Sequence, residues 1–221
     1  MSGRKPAKKY YFSVEGQTEM WYLKWLEKEI NSAAASLWKV VFDCKVEKNP
    51  VSRVKSLTIT EKTEIFHIID VEGTGQDDIS NFERALDHMK AAEKLGKNVK
   101  YSLAYNNLTF ELWMILHKKD LRGPVQDKKQ YLKPINEAFG ENFQSLSEFK
   151  REDNFKKCLD KLSLSDVCSA IDHAGDIMRQ NEENGCKLKQ HGSYKYYEEN
   201  PSLLSWEAIN KVMTDCGLKA N

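Results

Sequence analysis

The most constraining feature of the chain is the stretch Lys9 to Trp25, KYYFSVEGQTEMWYLKW. Tyr10, Tyr11, Phe12 and Val14 form a short apolar run of aromatic and β-branched residues, the composition of a buried strand. Glu15-Gly16 stops it abruptly, and Met20, Leu23 and Leu26 then fall at helical spacing. A strand that ends in a carboxylate, turns on glycine and enters a helix is a βα unit. In open α/β sheets, ligands bind in the crevice outside the carboxyl ends of such strands. Glu19, in the first turn of the helix, shares that lip with Glu15. Two readings of Glu19 stand open: a ligand-facing acid, or an acid that complements the helix dipole beside an ordinary cap at Gln17 or Thr18. Glu15 is harder to dismiss, because a charge abutting an apolar strand tends to be paired, metal-bound or functional.

The same pattern recurs downstream. After a first helix over about Glu19 to Ala35, Trp38 to Val46 reads as a second strand, and the segment Val51 to Thr60 is ambiguous. Glu64 to Asp70, EIFHIID, is a third strand stopped by Asp70-Val71-Glu72-Gly73. Asp77 to Leu95 is expected to be a helix, and Val99 to Tyr105 a fourth strand that turns through Asn106-Asn107 into the apolar helix Phe110 to His117, which carries Glu111. Alternating strands and helices imply an α/β fold: a mainly parallel four-stranded sheet flanked by helices. Beyond Leu121 the character changes. Tyr131 to Phe139, Leu146 to Leu162, Ser165 to Gln180 and Leu203 to Cys216 read as helices, with no convincing strand among them. The chain thus divides into a basic arm over residues 1–8, an α/β domain over 9–120 and a helical extension over 121–221.

Three of the expected strand ends carry acids: Glu15 with Glu19, Asp70 with Glu72, and Glu111. Parallel strands put their carboxyl ends along one edge, so these side chains are candidates to converge. Convergence without a cation is unfavourable, since neighbouring carboxylates raise one another's pKa. Magnesium or manganese would relieve it, being hard ions that take oxygen ligands. A pair of ions would suit in-line phosphoryl chemistry. On an extended segment residues i and i+2 share a direction, so Asp70 and Glu72 are expected to approach one ion together. The alternatives are a plain turn at Asp70-Val71-Glu72-Gly73 and a capping or ion-pairing role for Glu111.

Composition removes other classes. The five cysteines are scattered, with no paired spacing for zinc or a disulfide framework, which fits a reducing cytoplasm. No apolar run is long enough for a membrane span, so no membrane partner is expected. The net charge of +1 is neutral on nucleic acid, because local patches matter more than sums. No G-x-x-x-x-G-K-[ST] loop occurs, so ATP hydrolysis would fall to another subunit. Lys187, Lys189, His191, Tyr194, Lys195, Tyr196 and Tyr197 interleave basic and aromatic residues; they suit nucleic-acid stacking, or simply pack a solvated loop. His117, ending an apolar helix, reads as a packed histidine rather than a ligand.

VEGQTE at Val14 to Glu19 and IIDVEG at Ile68 to Gly73 resemble the glutamate and DxD motifs of Toprim domains, with Glu72 in place of the second aspartate. YNNLTFELWMILH at Tyr105 to His117 is similar to the SNPxFExWLLLH signature of the RloB-like family. AIDHAGDIM at Ala170 to Met178 and YEENPSLLSWEAI at Tyr197 to Ile209 resemble that family's C-terminal helix and NPST-type segment. The resemblance implies a Toprim-like core and a phage-defence setting. It implies a Mg²⁺- or Mn²⁺-dependent nuclease acting on RNA or DNA, with a possible ATPase or restriction-modification subunit as partner. Glu15 and Glu111 would be catalytic, and Glu15, Glu19, Asp70, Glu72 and Glu111 would hold metal. The Ser-Asn-Pro of the signature is absent here, where Tyr105-Asn106-Asn107-Leu108-Thr109 stands. The rival expectation is a non-catalytic scaffold or binding subunit, since fold does not establish activity. Nucleotidyl transfer is a third, with no separate nucleotide motif behind it.

Overall fold

The computed structural model describes residues 5–220. The strands β1 (Ala7–Val14), β2 (Lys39–Val46), β3 (Thr63–Asp70) and β4 (Val99–Asn107) run parallel in the order β2-β1-β3-β4. The short strand β7 (Ser202–Leu203) adds antiparallel to β4 through Asn106↔Leu203 and Asn107↔Ser202. The sheet therefore has five strands rather than the expected four. A two-residue strand leaves no periodicity in sequence, and β7 is held in place by its pairing to β4. The first four helices are α1 (Gln17–Ser32), α2 (Pro50–Ser56), α3 (Gln76–Glu93) and α4 (Glu111–Leu116). The ambiguous segment after β2 is thus the short helix α2, capped by the Asn49 side chain accepting from the Val51 and Ser52 N–H groups.

Alternation along the strands builds two cores. Phe12 and Val14 of β1, Phe66 and Ile68 of β3 and Ala104 of β4 belong to the larger core, which includes Leu23 and Leu26 of α1 and Trp113 of α4. Ile65 and Ile69 of β3 and Tyr101 and Tyr105 of β4 face the other way, onto Phe82, Leu86 and Met89 of α3. The open edge of β2 is covered by α1: the Asn31 side chain exchanges hydrogen bonds with the Val40 N–H and C=O at 2.8 and 2.9 Å. Glu27 accepts from the Phe42 N–H at 3.2 Å. These contacts satisfy an edge that would otherwise template pairing with another chain.

The second half continues through a 3₁₀ turn (Lys128–Tyr131), α5 (Leu132–Phe139), α6 (Leu146–Phe149), α7 (Glu152–Leu159), α8 (Leu164–Glu183) and α9 (Ser205–Asp215). It is not all helical, as the sequence suggested: β5 (Leu188–His191) and β6 (Tyr194–Tyr197) form an antiparallel hairpin turning at Gly192 with φ 59°. Four-residue strands carry too few alternations to stand out from a polar loop. Part of the basic arm expected over residues 1–8 is strand. Residues 1–4 lie outside the described residues, Ala7 and Lys8 belong to β1, and Lys8 pairs with Asp215 at 2.8 Å. Among the described residues no helix is long and apolar enough to cross a membrane.

The two halves share the larger core. Phe155 of α7 is fully buried, its ring 5.9 Å from Trp21 of α1 and 5.3 Å from Phe149 of α6. Truncating such an aromatic removes about 3–5 kcal/mol. Phe155→Ala is expected to lower the unfolding free energy measured in urea by that amount, in one cooperative transition; two separate transitions would show that the halves fold independently.

Candidate functional site

Alternation carries past the end of β1. Because Phe12 and Val14 point into the larger core, Glu15 points to the α3 side of the sheet, where it lines a cleft of about 220 Å³ with Lys48, Asp70, Glu72, Asp78 and Asn81. Its Oε2 accepts the backbone N–H of Asp70 at 3.0 Å, which ties the end of β1 to the end of β3. Glu19, in the first turn of the chain's first helix, is 5% exposed, and its Oε2 accepts the Thr18 hydroxyl at 3.0 Å. A Cβ on Gly16 would stand 3.0 Å from that same oxygen, so a larger residue there would make the Glu19 carboxylate shift.

Asp70 sits between the two sides. Its Oδ1 accepts the Asn106 amide and its Oδ2 the Phe110 N–H, both at 3.1 Å, so it joins β3 to the turn after β4. Glu72 departs from the expectation that it would share a direction with Asp70. The strand ends at Asp70, and Glu72 takes φ 72°, in the left-handed region that a non-glycine residue rarely enters. The turn carries its side chain outward, where it is 48% exposed and pairs with Lys128 at 2.5 Å. Such backbone outliers persist where surrounding structure enforces them and cluster at functional sites. Here the Glu72 N–H donates to the Leu108 C=O at 2.9 Å.

The third strand end, that of β4, leads into the helix that carries the fifth acid, Glu111. Asn106 is held by the Ser205 hydroxyl, which donates to its Oδ1 at 2.6 Å, and its amide then reaches Asp70. The Asn107–Leu108 peptide is cis. Glu111 is 2% exposed; Oε1 pairs with Lys150 at 2.7 Å, and Oε2 has no hydrogen-bond partner. An unpartnered buried carboxylate oxygen is costly and calls for a cation or proton.

All these acids bear on Asp70. Burial pushes its pKa well above the usual carboxylate range, and Glu19, Glu111, Glu15 and Glu72 each push it further. Burial also raises Glu15, assisted by Glu72 and opposed by the Asp70 N–H and Lys48. Glu19 is raised by burial and by Glu111, with its own backbone, Thr18 and Lys150 opposing. The donor set is all hard oxygen and carries excess negative charge, which fits magnesium or manganese. The side chains do not, however, already form a ligand shell: among the described residues no three His, Cys, Asp or Glu groups stand together in ligating geometry. Glu15, Glu19 and Glu72 are each turned to a partner within the protein.

Other expected residues have structural roles. His117 is buried, accepting from the Tyr22 hydroxyl at 3.0 Å through Nε2 while Nδ1–H donates to the Trp113 C=O at 2.9 Å. Burial lowers its pKa to about 4, so it is a neutral packed histidine. Tyr194, Tyr196 and Tyr197 are buried, and the Tyr196 ring lies 5.0 Å from Phe82; these rings anchor the β5–β6 hairpin and have no face free for a base. Sequence reasoning missed three lysines. Lys48 follows β2, and Lys128 and Lys150 come from the second half, where nothing local marks a lysine as reaching a distant site.

The raised carboxyls give a signed pH dependence. A folded-state pKa above the unfolded one gives full stability below about pH 4, the ordinary carboxyl value, and loses it as pH rises through the folded values. Glu19→Gln keeps an acceptor for Thr18 and removes one charge. In EDTA it is expected to melt higher than the parent chain, with a gap that widens from pH 4 to pH 8. A gap constant with pH, or a variant that melts lower throughout, would show that the acids do not interact.

The family model described as RloB-like protein matches residues 10–209. No curated protein and no solved structure matches the chain. With the match running from β1 into α9, the chain belongs to the RloB-like family.

Proposed function

We propose that the chain is a Mg²⁺- or Mn²⁺-dependent phosphodiesterase that cleaves nucleic acid, RNA or DNA, on a Toprim-like sheet edge, within a phage-defence system. The observation that carries the reading is the crowding of acids around Asp70: burial and carboxylates from three strand ends all raise its pKa, beside a buried Glu111 oxygen with no partner. Asp70, Glu111 and Glu19 would hold the ion, with Glu15 completing the set from the cleft side. When bound, such an ion supplies activation of water and neutralisation of the leaving oxygen. Glu15, with its raised pKa and its place in a solvent-reaching cleft, is suited to exchange a proton with a reacting oxygen. Asp70 fixes the spacing of the other acids through the Phe110 and Asn106 donors, and Lys48 adds positive charge on the cleft wall where a phosphate would approach. A partner ATPase or restriction-modification subunit would supply any ATP-driven step.

A second reading, a non-catalytic Toprim-like scaffold, is favoured by one observation: Lys150 already pairs with Glu111, and no ready-made ligand shell exists among the described residues. Purified protein with Mn²⁺, offered transfer RNA, single strands and duplexes, separates the two. Cleavage is expected, and it is expected to vanish in Glu15→Gln and Asp70→Asn while both stay folded. Mn²⁺ at a hundredfold excess over its dissociation constant should stabilise the parent chain by about 2.7 kcal/mol. A comparable stabilisation of Asp70→Asn would contradict the metal assignment. Full phage protection by a folded Glu15→Gln chain in its native locus would leave the scaffold reading standing.

A further inference from the structure

The core fixes Lys150 in front of the inner acids. The chain enters it from Phe149, fully buried, with ring centroids 5.8 Å from Phe143 and 5.3 Å from Phe155. The Lys150 N–H donates to the Leu146 C=O at 2.9 Å, and the Asn154 amide closes the same turn on the Glu148 C=O at 2.8 Å. From this anchored backbone the ammonium reaches across to Glu111 Oε1 at 2.7 Å.

The two partners differ in their surroundings. The Glu111 side chain is 2% exposed and the Lys150 side chain 40%. One end of the pair lies within the protein beside Asp70 and Glu19, and the other opens to solvent. Lys128 differs in that both it and its partner Glu72 are 48% exposed, the setting of a weak rim pair. Partial burial opposes the Lys150 ammonium, but Glu111, and after it Asp70 and Glu19, outweigh that and favour the charged form. A divalent ion taking the Glu111 carboxylate would repel that ammonium and leave it charged, anchored at its backbone and facing solvent. A lysine in that position is a point-charge ligand for a phosphate oxygen.

We propose that Lys150 is the phosphate-binding residue of the strand-edge site, held by Glu111 until a divalent ion takes that carboxylate. The proposal rests on the phosphodiesterase reading and adds the residue that grips the nucleic-acid backbone. No bond is made or broken in the exchange: Lys150 trades one anionic oxygen for another and keeps its protons.

The test uses the full chain with Ca²⁺, which takes oxygen ligands, and a fluorescently labelled single-stranded oligonucleotide read by anisotropy. Lys150→Gln retains a donor for Glu111 and loses the charge, Lys150→Arg retains the charge, and Lys150→Met serves as a second neutral variant should Lys150→Gln fold poorly. Ion affinity is followed separately by calorimetry with Mn²⁺. The neutral variants are expected to lose at least tenfold in oligonucleotide affinity, Lys150→Arg to stay within about threefold, and ion affinity to match or exceed that of the parent chain. Unchanged oligonucleotide affinity in a folded neutral variant would overturn the proposal. So would a parallel fall in ion affinity, which would mark Lys150 as structural support for Glu111. A parent chain that binds Mn²⁺ but no oligonucleotide would also overturn it while leaving the metal assignment intact; one that binds neither would remove the phosphodiesterase reading itself.

Discussion

The arrangement of the sheet edge depends on one carboxylate. Asp70 accepts the Phe110 N–H with one oxygen and the Asn106 amide with the other, and its own N–H donates to Glu15. Three separate strand ends are held in register by the hydrogen bonds of this residue. Asp70 is also difficult to ionise, because burial and four other acids both oppose its charge. Structural connection and electrostatic cost therefore coincide at one residue. That combination marks Asp70 and its neighbours as a candidate functional site.

The division of the acids between the two faces follows from the pleat. Val14 and Ile68 face the larger core, so Glu15 falls on the α3 side while Asp70 keeps the parity of Ile68. Glu19 and Glu111 reach Asp70 from helices that start after β1 and β4. A cation near Asp70 would thus be approached from both sides of the sheet plane. The second half of the chain adds the positive charge, through Lys128 and Lys150, and does so while sharing the core of the first half through Phe149 and Phe155. Site and extension share one core.

The strand–helix alternation, the four parallel strands and the positions of the acids at strand ends were legible because each rests on local pattern: apolar runs, helical spacing, an acid before glycine. What was not legible depends on distant contacts or very short elements. β7 is two residues long and exists by pairing with Asn106 and Asn107. The outward turn of Glu72 is a backbone choice, fixed by its bond to Leu108, that no side-chain pattern announces. The tyrosines at 194, 196 and 197 looked equally suited to stacking bases and to packing, and only their burial, with the contact of Tyr196 on Phe82 and Tyr105, decides for packing. Lys150 stands 39 positions from Glu111 in sequence, and nothing in the intervening chain marks the pair.

The central claim is that the acids around Asp70 form a divalent-cation site. Its most direct measurement is the anomalous difference density of a crystal grown with Mn²⁺. The account predicts a peak bonded to Asp70 and to at least one of Glu15, Glu19 and Glu111, with the Lys150 ammonium displaced from Glu111. Density without such a peak at saturating Mn²⁺, and with Lys150 still paired to Glu111, would contradict it.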